Sequence, residues 1–335
     1  MKRRLLLATA ILGWTARCVT GSPVHSFDLE KATTQADLIV VGRALNATEV
    51  ENTTLELAGG AIVTATRYRA TLNIHHVIKG DFNFPDLLLE FLIPESPVGL
   101  KGVDSGQYGI FFLKKDQNRW TFFDATNPWL PAVPGSETPT GAPLDRVTSL
   151  LVQVLESSGS TETEYFQALT ALGRLRTDLS RELLRQALAR SSGRSRLYIA
   201  RTLVAKDDVA GLPVVSQALL EPDGLPGNIV EGLASSLRGL KDPNAVPSLS
   251  KLTASSNGRI RLGAVVALRQ SGSATAIPAL ARLLNDPDKE VLYYAVVGLG
   301  EITHQDEWTP AMQEFSQHEK RYLDYWRRWA QAHFD

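Results

Sequence analysis

The sequence predicts a multidomain β + α chain: a small β-barrel followed by an α-helical solenoid. Three observations predict it. Apolar residues alternate with period two from Ala36 to about Val133. Residues 134–143 hold three prolines, two glycines and no large apolar side chain, so they read as a linker. From 144 to 303 one apolar pattern recurs five times, the mark of stacked helical units. The 335 residues suffice for about two domains.

The N-terminus carries an address. Lys2-Arg3-Arg4 is a basic start, Leu5 to Trp14 is a short apolar run, and Val19-Thr20-Gly21 places modest residues before a cut after Gly21. That is the layout of a secretory signal peptide over 1–21. The apolar run is too short to span a bilayer as a helix, and no later window is long and apolar enough, so no transmembrane span is expected after cleavage. An uncleaved N-terminal anchor is the alternative. The only cysteine, Cys18, lies within the leader, so the mature chain has no disulfide, thiolate metal site or Cys nucleophile. The expected location is periplasmic or secreted, in a bacterial envelope. Asn46 and Asn52 begin glycosylation sequons, which carry no meaning in a bacterial periplasm.

Charge excludes one partner class. Without the leader, 31 bases face 36 acids, a field unsuited to nucleic acid.

The region 26–133 reads as five strands. Asp37–Ala44 is a β-branched apolar run, and Ile62–Ile78 alternates over its length. Asp86–Ile93, Gly109–Leu113 and Trp120–Asp124 follow, with a polar turn at Asp116-Gln117-Asn118. Asn52–Gly60 reads as a loop or hairpin tip. His76 shares a face with Tyr68, Leu72 and Ile74, so it is expected in the core. Five short strands can close as a barrel and so remove exposed edges.

Ala-Asp-Leu-Ile-Val-Val-Gly-Arg (36–43), Val-Ile-Lys-Gly (77–80) and Gly-Gln-Tyr-Gly-Ile-Phe-Phe-Leu (106–113) resemble the netrin-like or TIMP-like module of bacterial exported proteins. The resemblance implies an OB-type barrel. The animal inhibitors of that family present an N-terminal Cys to a protease zinc and are stapled by disulfides. This chain has neither, so their mechanism does not carry over.

In the second half, first helices align at Leu150–Leu155, Leu183–Leu188, Val214–Leu219, Ser248–Thr253 and Ala279–Leu284. Pro213, Pro247 and Pro278 each precede the last three segments, where a proline suits a helix's first turn. Second helices align on Leu172, Leu203, Leu237, Leu268 and Leu299, with Ala168, Ala264 and Ala295 four residues earlier. Neither helix of a unit buries its apolar stripe alone, so the units must stack. The segment Ala276–Val291 followed by Ala295–Ile302 resembles a short bacterial HEAT repeat of the kind shared with phycobilisome lyases; tetratricopeptide units rank second. Residues 304–335 read as capping helices. Tyr322, Tyr325, Trp326 and Trp329 form one helical stripe that seals the last repeat, with a partner helix or membrane surface as the alternative.

Catalytic signatures are lacking: no HExxH, GxSxG, Walker loop or GxGxxG occurs. Asp286, Asp288 and Glu290 resemble a calcium loop only superficially, and a capped turn explains them better. No catalytic residue, cofactor or metal is expected. The feature that stands out is Arg174, Arg176, Arg181, Arg185, Arg190, Arg194, Arg196 and Arg201, opposed by only Asp178 and Glu182. Arg174, Arg176, Arg181, Arg185, Arg194 and Arg201 are the candidate partner-binding residues, because arginine makes planar, bidentate contacts with carboxylate or phosphate. Arg181 and Arg185 lie one turn apart on the same helix face. An acidic protein, lipid headgroups in a peripheral envelope contact, or an anionic polymer would fit; a solvated face is the alternative. Three functions follow: a non-enzymatic exported adaptor or scaffold, an inhibitor or modulator of an envelope enzyme acting through the barrel, and a lyase-like enzyme on a HEAT scaffold. The first is favoured.

Mass spectrometry of the exported protein is expected to find an N-terminus beginning at Ser22; intact Met1 on a cytosolic chain contradicts the export reading.

Overall fold

The computed structural model describes residues 27–56, 60, 62–95 and 102–334; the expected signal peptide, Cys18 and His25 lie outside them. A short helix, α1 (Leu29–Gln35), comes first, its N-terminus capped by Asp28, whose carboxylate accepts the Lys31 N–H at 2.9 Å. Six strands follow: β1 (Leu38–Glu56), β2 (Ile62–Lys79), β3 (Asp86–Pro94), β4 (Tyr108–Asp116), β5 (Arg119–Phe122) and β6 (Trp129–Pro131). They form one sheet. β1 pairs with β2 and β2 with β3, both antiparallel; β3 meets β5 in parallel at Leu89 and Trp120. β5 and β6 pair with β4, and β4 returns to β1 over Leu38–Arg43.

β1 and β4 explain their own sequences. Leu38, Val40, Phe111 and Leu113 face one apolar cluster with Leu72, Leu87 and Leu89. Ile39, Val41, Ile110 and Phe112 face a second cluster that continues into the helices through Val147, Leu150 and Leu151. A strand covered on both sides needs an unbroken apolar run rather than alternation.

Three expectations for the sheet change, the first being the strand count: β6, paired with β4, is a sixth strand beyond the five expected. Asn52–Glu56 is strand, not loop: Asn52 pairs with Thr66 and Glu56 with Ile62. The β-branched Thr53, Thr54, Val63 and Thr64 suit an extended backbone although the segment is polar. His76 is exposed rather than in the core. Gly42 faces Ile74 and Val41 faces His76, so His75 is an extra residue in β2. This bulge resets the alternation, and Val77 instead of His76 joins Ile74 against the inner cluster. His75 Nε2 lies 3.1 Å from Asn73 Oδ1, and its ring meets Tyr108 edge-on.

Five helix pairs follow: α2 (Pro143–Glu156) and α3 (Glu162–Arg174), α4 (Asp178–Arg190) and α5 (Gly193–Ala205), α6 (Leu212–Leu220) and α7 (Gly227–Ser236), α8 (Val246–Leu252) and α9 (Gly258–Gln270), α10 (Ile277–Arg282) and α11 (Lys289–Thr303). The leucines that register the second helices, Leu172, Leu203, Leu237, Leu268 and Leu299, are all fully buried, as are Ala168, Ala264 and Ala295. Close approach is visible at Gly263, where a Cβ would stand 2.3 Å from the Ala234 carbonyl oxygen of the preceding repeat. The turns between repeats are capped in register: Asp208, Asp242 and Ser273 accept from the N–H groups of Ala210, Asn244 and Thr275. Within the last unit, Asp288 caps α11, accepting Glu290 N at 2.8 Å. Asp286 holds Arg261 through two bonds of 2.7 and 2.9 Å. The Asp286–Glu290 segment is thus a capped turn.

The sheet is docked on the first repeat. Arg146 of α2 donates to the carbonyls of Ile78 (2.8 Å), Val77 (3.1 Å) and Pro139 (2.9 Å). Gln167 of α3 donates to the Trp129 carbonyl at 3.0 Å. At the far end, α12 (Met312–Phe334) buries Phe315, Tyr322, Leu323 and Trp326, while Trp308 stacks on Tyr325 at 3.7 Å. No helix among the described residues is long and apolar enough to cross a membrane.

Leu268→Asp is expected to cost about 3–5 kcal/mol, because it leaves an unpaired charge between stacked helices. Urea unfolding of the full chain, followed by the helical circular-dichroism signal, measures it.

Candidate partner-binding surface

The structure divides the arginine cluster. Arg181 and Arg185, on one face of α4 as their spacing requires, converge on Asp208 in the turn after α5. Arg185 Nε donates to Asp208 Oδ2 at 2.8 Å, and Arg181 Nε lies 3.9 Å from the same oxygen. The Asp208 side chain is completely buried, so these cations neutralise an internal carboxylate. Asp178 and Glu182 add looser contacts at 3.8 and 3.7 Å. Arg190 pairs with Glu156 at 2.8 Å. All three arginines are ion-paired within the chain.

Lys206 sits in the same corner. Its ammonium donates to the Leu172, Gly173 and Leu175 carbonyls at the end of α3. Burial lowers its pKa, and nearby Arg181 and Arg176 lower it further against the pull of Glu30 and Asp208. Arg176 is exposed, and its backbone N–H donates to the Glu30 carboxylate of α1 at 3.3 Å.

Arg174, Arg194 and Arg201 are exposed and make no ion pair with another described residue. Arg174 and Arg201 share a row. Measured from the buried leucine of its own helix, Arg174 lies two residues after Leu172 and Arg201 two before Leu203. Positions separated by three or four residues share a helix face, so both project away from the leucine core. The guanidinium of Arg201 lies across the neighbouring helix: a Cβ on Gly232 of α7 would stand 2.9 Å from its Nη1.

One more unpaired arginine lies in the third repeat. Arg238 follows Leu237, is exposed, and has no ion pair among the described residues. It stands 37 residues after Arg201, the last member of the dense cluster, which is why a search for local charge density misses it. The row's positive character ends further on. Arg259 meets Glu231 at 3.1 Å, and Arg269 is held by both Glu301 oxygens at 2.6 Å. The unpaired arginines therefore lie on α3, on α5 and in the turn that follows α7. No group of three or more His, Cys, Asp or Glu side chains among the described residues is placed to hold a metal ion.

Residues 224–300 match the family model of HEAT repeats. No curated protein matches the chain. Several solved structures are similar in part. The complex of CpcE and CpcF of phycocyanin lyase from Nostoc sp. PCC7120 shares 22% identity, covering 54% of this chain and 72% of that one, at a TM-score of 0.37. An engineered protein shares 19% identity over 47% of this chain and 80% of its own, with a TM-score of 0.34. A designed armadillo repeat protein in complex with the peptide (KR)4 shares 15% identity over 55% of this chain and 98% of its own, with a TM-score of 0.33.

Arg185→Glu is expected to destabilise the protein by about 3 kcal/mol or more, since it sets a second carboxylate against buried Asp208. Arg194→Glu, a change on an exposed side chain, is expected to stay within about 0.5 kcal/mol. Urea titrations of the two variants compare them directly.

Proposed function

We propose that the chain is a non-enzymatic, exported adaptor that holds an acidic protein partner across the second helices of its first three repeats. The observation that carries this reading is that Arg174, Arg201 and Arg238 are exposed on successive repeats and make no ion pair with a described residue. Adjacent packed helices lie about 8–10 Å apart, so the row offers a line of guanidinium groups rather than a point charge. The HEAT match over 224–300 supports the repeat scaffold.

Export is part of the proposal and rests on the Lys2–Arg4 start and the Leu5–Trp14 run. So is an OB-like barrel of the netrin type for the sheet. Its support is the order of pairings, β1-β2-β3-β5-β4, which returns from β4 to β1. A peripheral envelope contact would be made through the bound partner and needs no span.

The test is cross-linking in the native envelope with a photoreactive residue at Thr170 or Ser235, both exposed beside the arginine row. A single acidic partner is expected, captured by both probes. Arg174→Glu with Arg201→Glu and Arg238→Glu is expected to weaken its binding at least about ten-fold, or about 1.4 kcal/mol. Wild-type affinity should fall as salt rises, because exposed charges are screened within about 8 Å at physiological ionic strength. Equal binding by the wild type and the triple variant contradicts the proposal.

A further inference from the structure

The row of first helices ends at α10, and α12 does not fully cover it. Between them lies a groove of about 510 Å³. Pro278, Ala281 and Leu284 line one side and Ala330 and Phe334 the other. That volume falls within the usual range for small-molecule sites, about 300–1,000 Å³.

The charge of the groove's described lining is one-sided. Arg282 and Arg327 contribute to its lining, and among the described residues no carboxylate does. Neither arginine is ion-paired to a described residue. Arg282 is exposed, and its Nε donates within its own helix to Pro278 O at 3.2 Å, which leaves the two terminal nitrogens uncommitted. Arg327 donates from Nη2 to Leu284 O at 2.7 Å, but its Nε–H is buried without a hydrogen-bond partner. A buried cationic donor without an acceptor is costly, and Arg327 is among the residues that line the groove.

We infer that this groove binds a single-chain amphiphile with a carboxylate head, the size of a medium-chain fatty acid. The apolar tail lies along Ala281, Leu284, Ala330 and Phe334, and the head group meets Arg282 and Arg327. A neutral head gives up the charge-assisted hydrogen bonds, and a cationic head is repelled. The site is separate from the arginine row of the first three repeats, and its test is independent of the proposed adaptor role.

The experiment is titration calorimetry of the full protein with decanoate, 1-decanol and decylammonium at neutral pH. Saturable one-to-one binding of decanoate is expected, with decanol and decylammonium at least about ten-fold weaker. Arg282→Gln is expected to weaken decanoate about five-fold or more while leaving decanol unchanged. Ala281→Phe, which fills the groove, is expected to abolish binding of both. Should Ala281→Phe also lower thermal stability, the Arg282→Gln comparison decides alone, because that side chain's observed hydrogen bond stays within its own helix. Absence of saturable decanoate binding, decanol binding as tight as decanoate, or an Arg282→Gln variant with unchanged preference overturns the inference.

Discussion

The stacking of five buried leucines on one another's helices is the constraint from which the rest of this molecule follows. Leu172, Leu203, Leu237, Leu268 and Leu299 fix how each second helix is rotated. Once that rotation is fixed, the remaining positions have no freedom. Ala168, Ala264 and Ala295 fall at the crowded helix contact, where only a small side chain fits. Arg174 and Arg201 fall on the opposite side. The surface offered to a partner is therefore a by-product of core register.

The second organising theme is the use of cations against backbone carbonyls. Lys79 donates to the Thr33, Thr34 and Ala36 carbonyls at the end of α1, and Lys206 does the same at the end of α3. Arg146 ties the first repeat to two carbonyls of β2, and Arg327 reaches the Leu284 carbonyl. The last carbonyls of a helix lack partners and carry partial negative charge, so a lysine or arginine there satisfies both needs. Four cations, Lys79, Arg146, Lys206 and Arg327, are held by the structure in this way.

The repeats were the most legible part of the sequence, because leucine, alanine and proline at fixed spacing are direct consequences of stacking. Five of the six strands were legible from their apolar patterning, whereas the three-residue β6 and the polar end of β1 were not. What could not be read depends on one residue more or less. The extra residue at His75 turns His76 outward, and no periodicity count contains that bulge. Helix α1 is seven residues long, below the length at which apolar periodicity is informative. The candidate surface was half legible. Arg174 and Arg201 stand free, whereas Arg181 and Arg185 belong to Asp208, a contact made by a turn 23 residues further along the chain from Arg185. Arg238 was hidden because it lies 37 residues beyond Arg201, outside the dense cluster.

Both ends of the solenoid are chemically committed. Arg146 and the shared apolar cluster bind the sheet to the first repeat, and Trp308, Tyr322 and Trp326 close the last one. Neither end presents the same face as an internal unit. A descendant of this protein can therefore lengthen or shorten only by gaining or losing whole units in its interior, where neighbouring surfaces are interchangeable. Each such event would move the terminal helix by one helix-packing distance, about 8–10 Å. The reach of the molecule is quantised, and evolution can retune it in steps without redesigning either terminus.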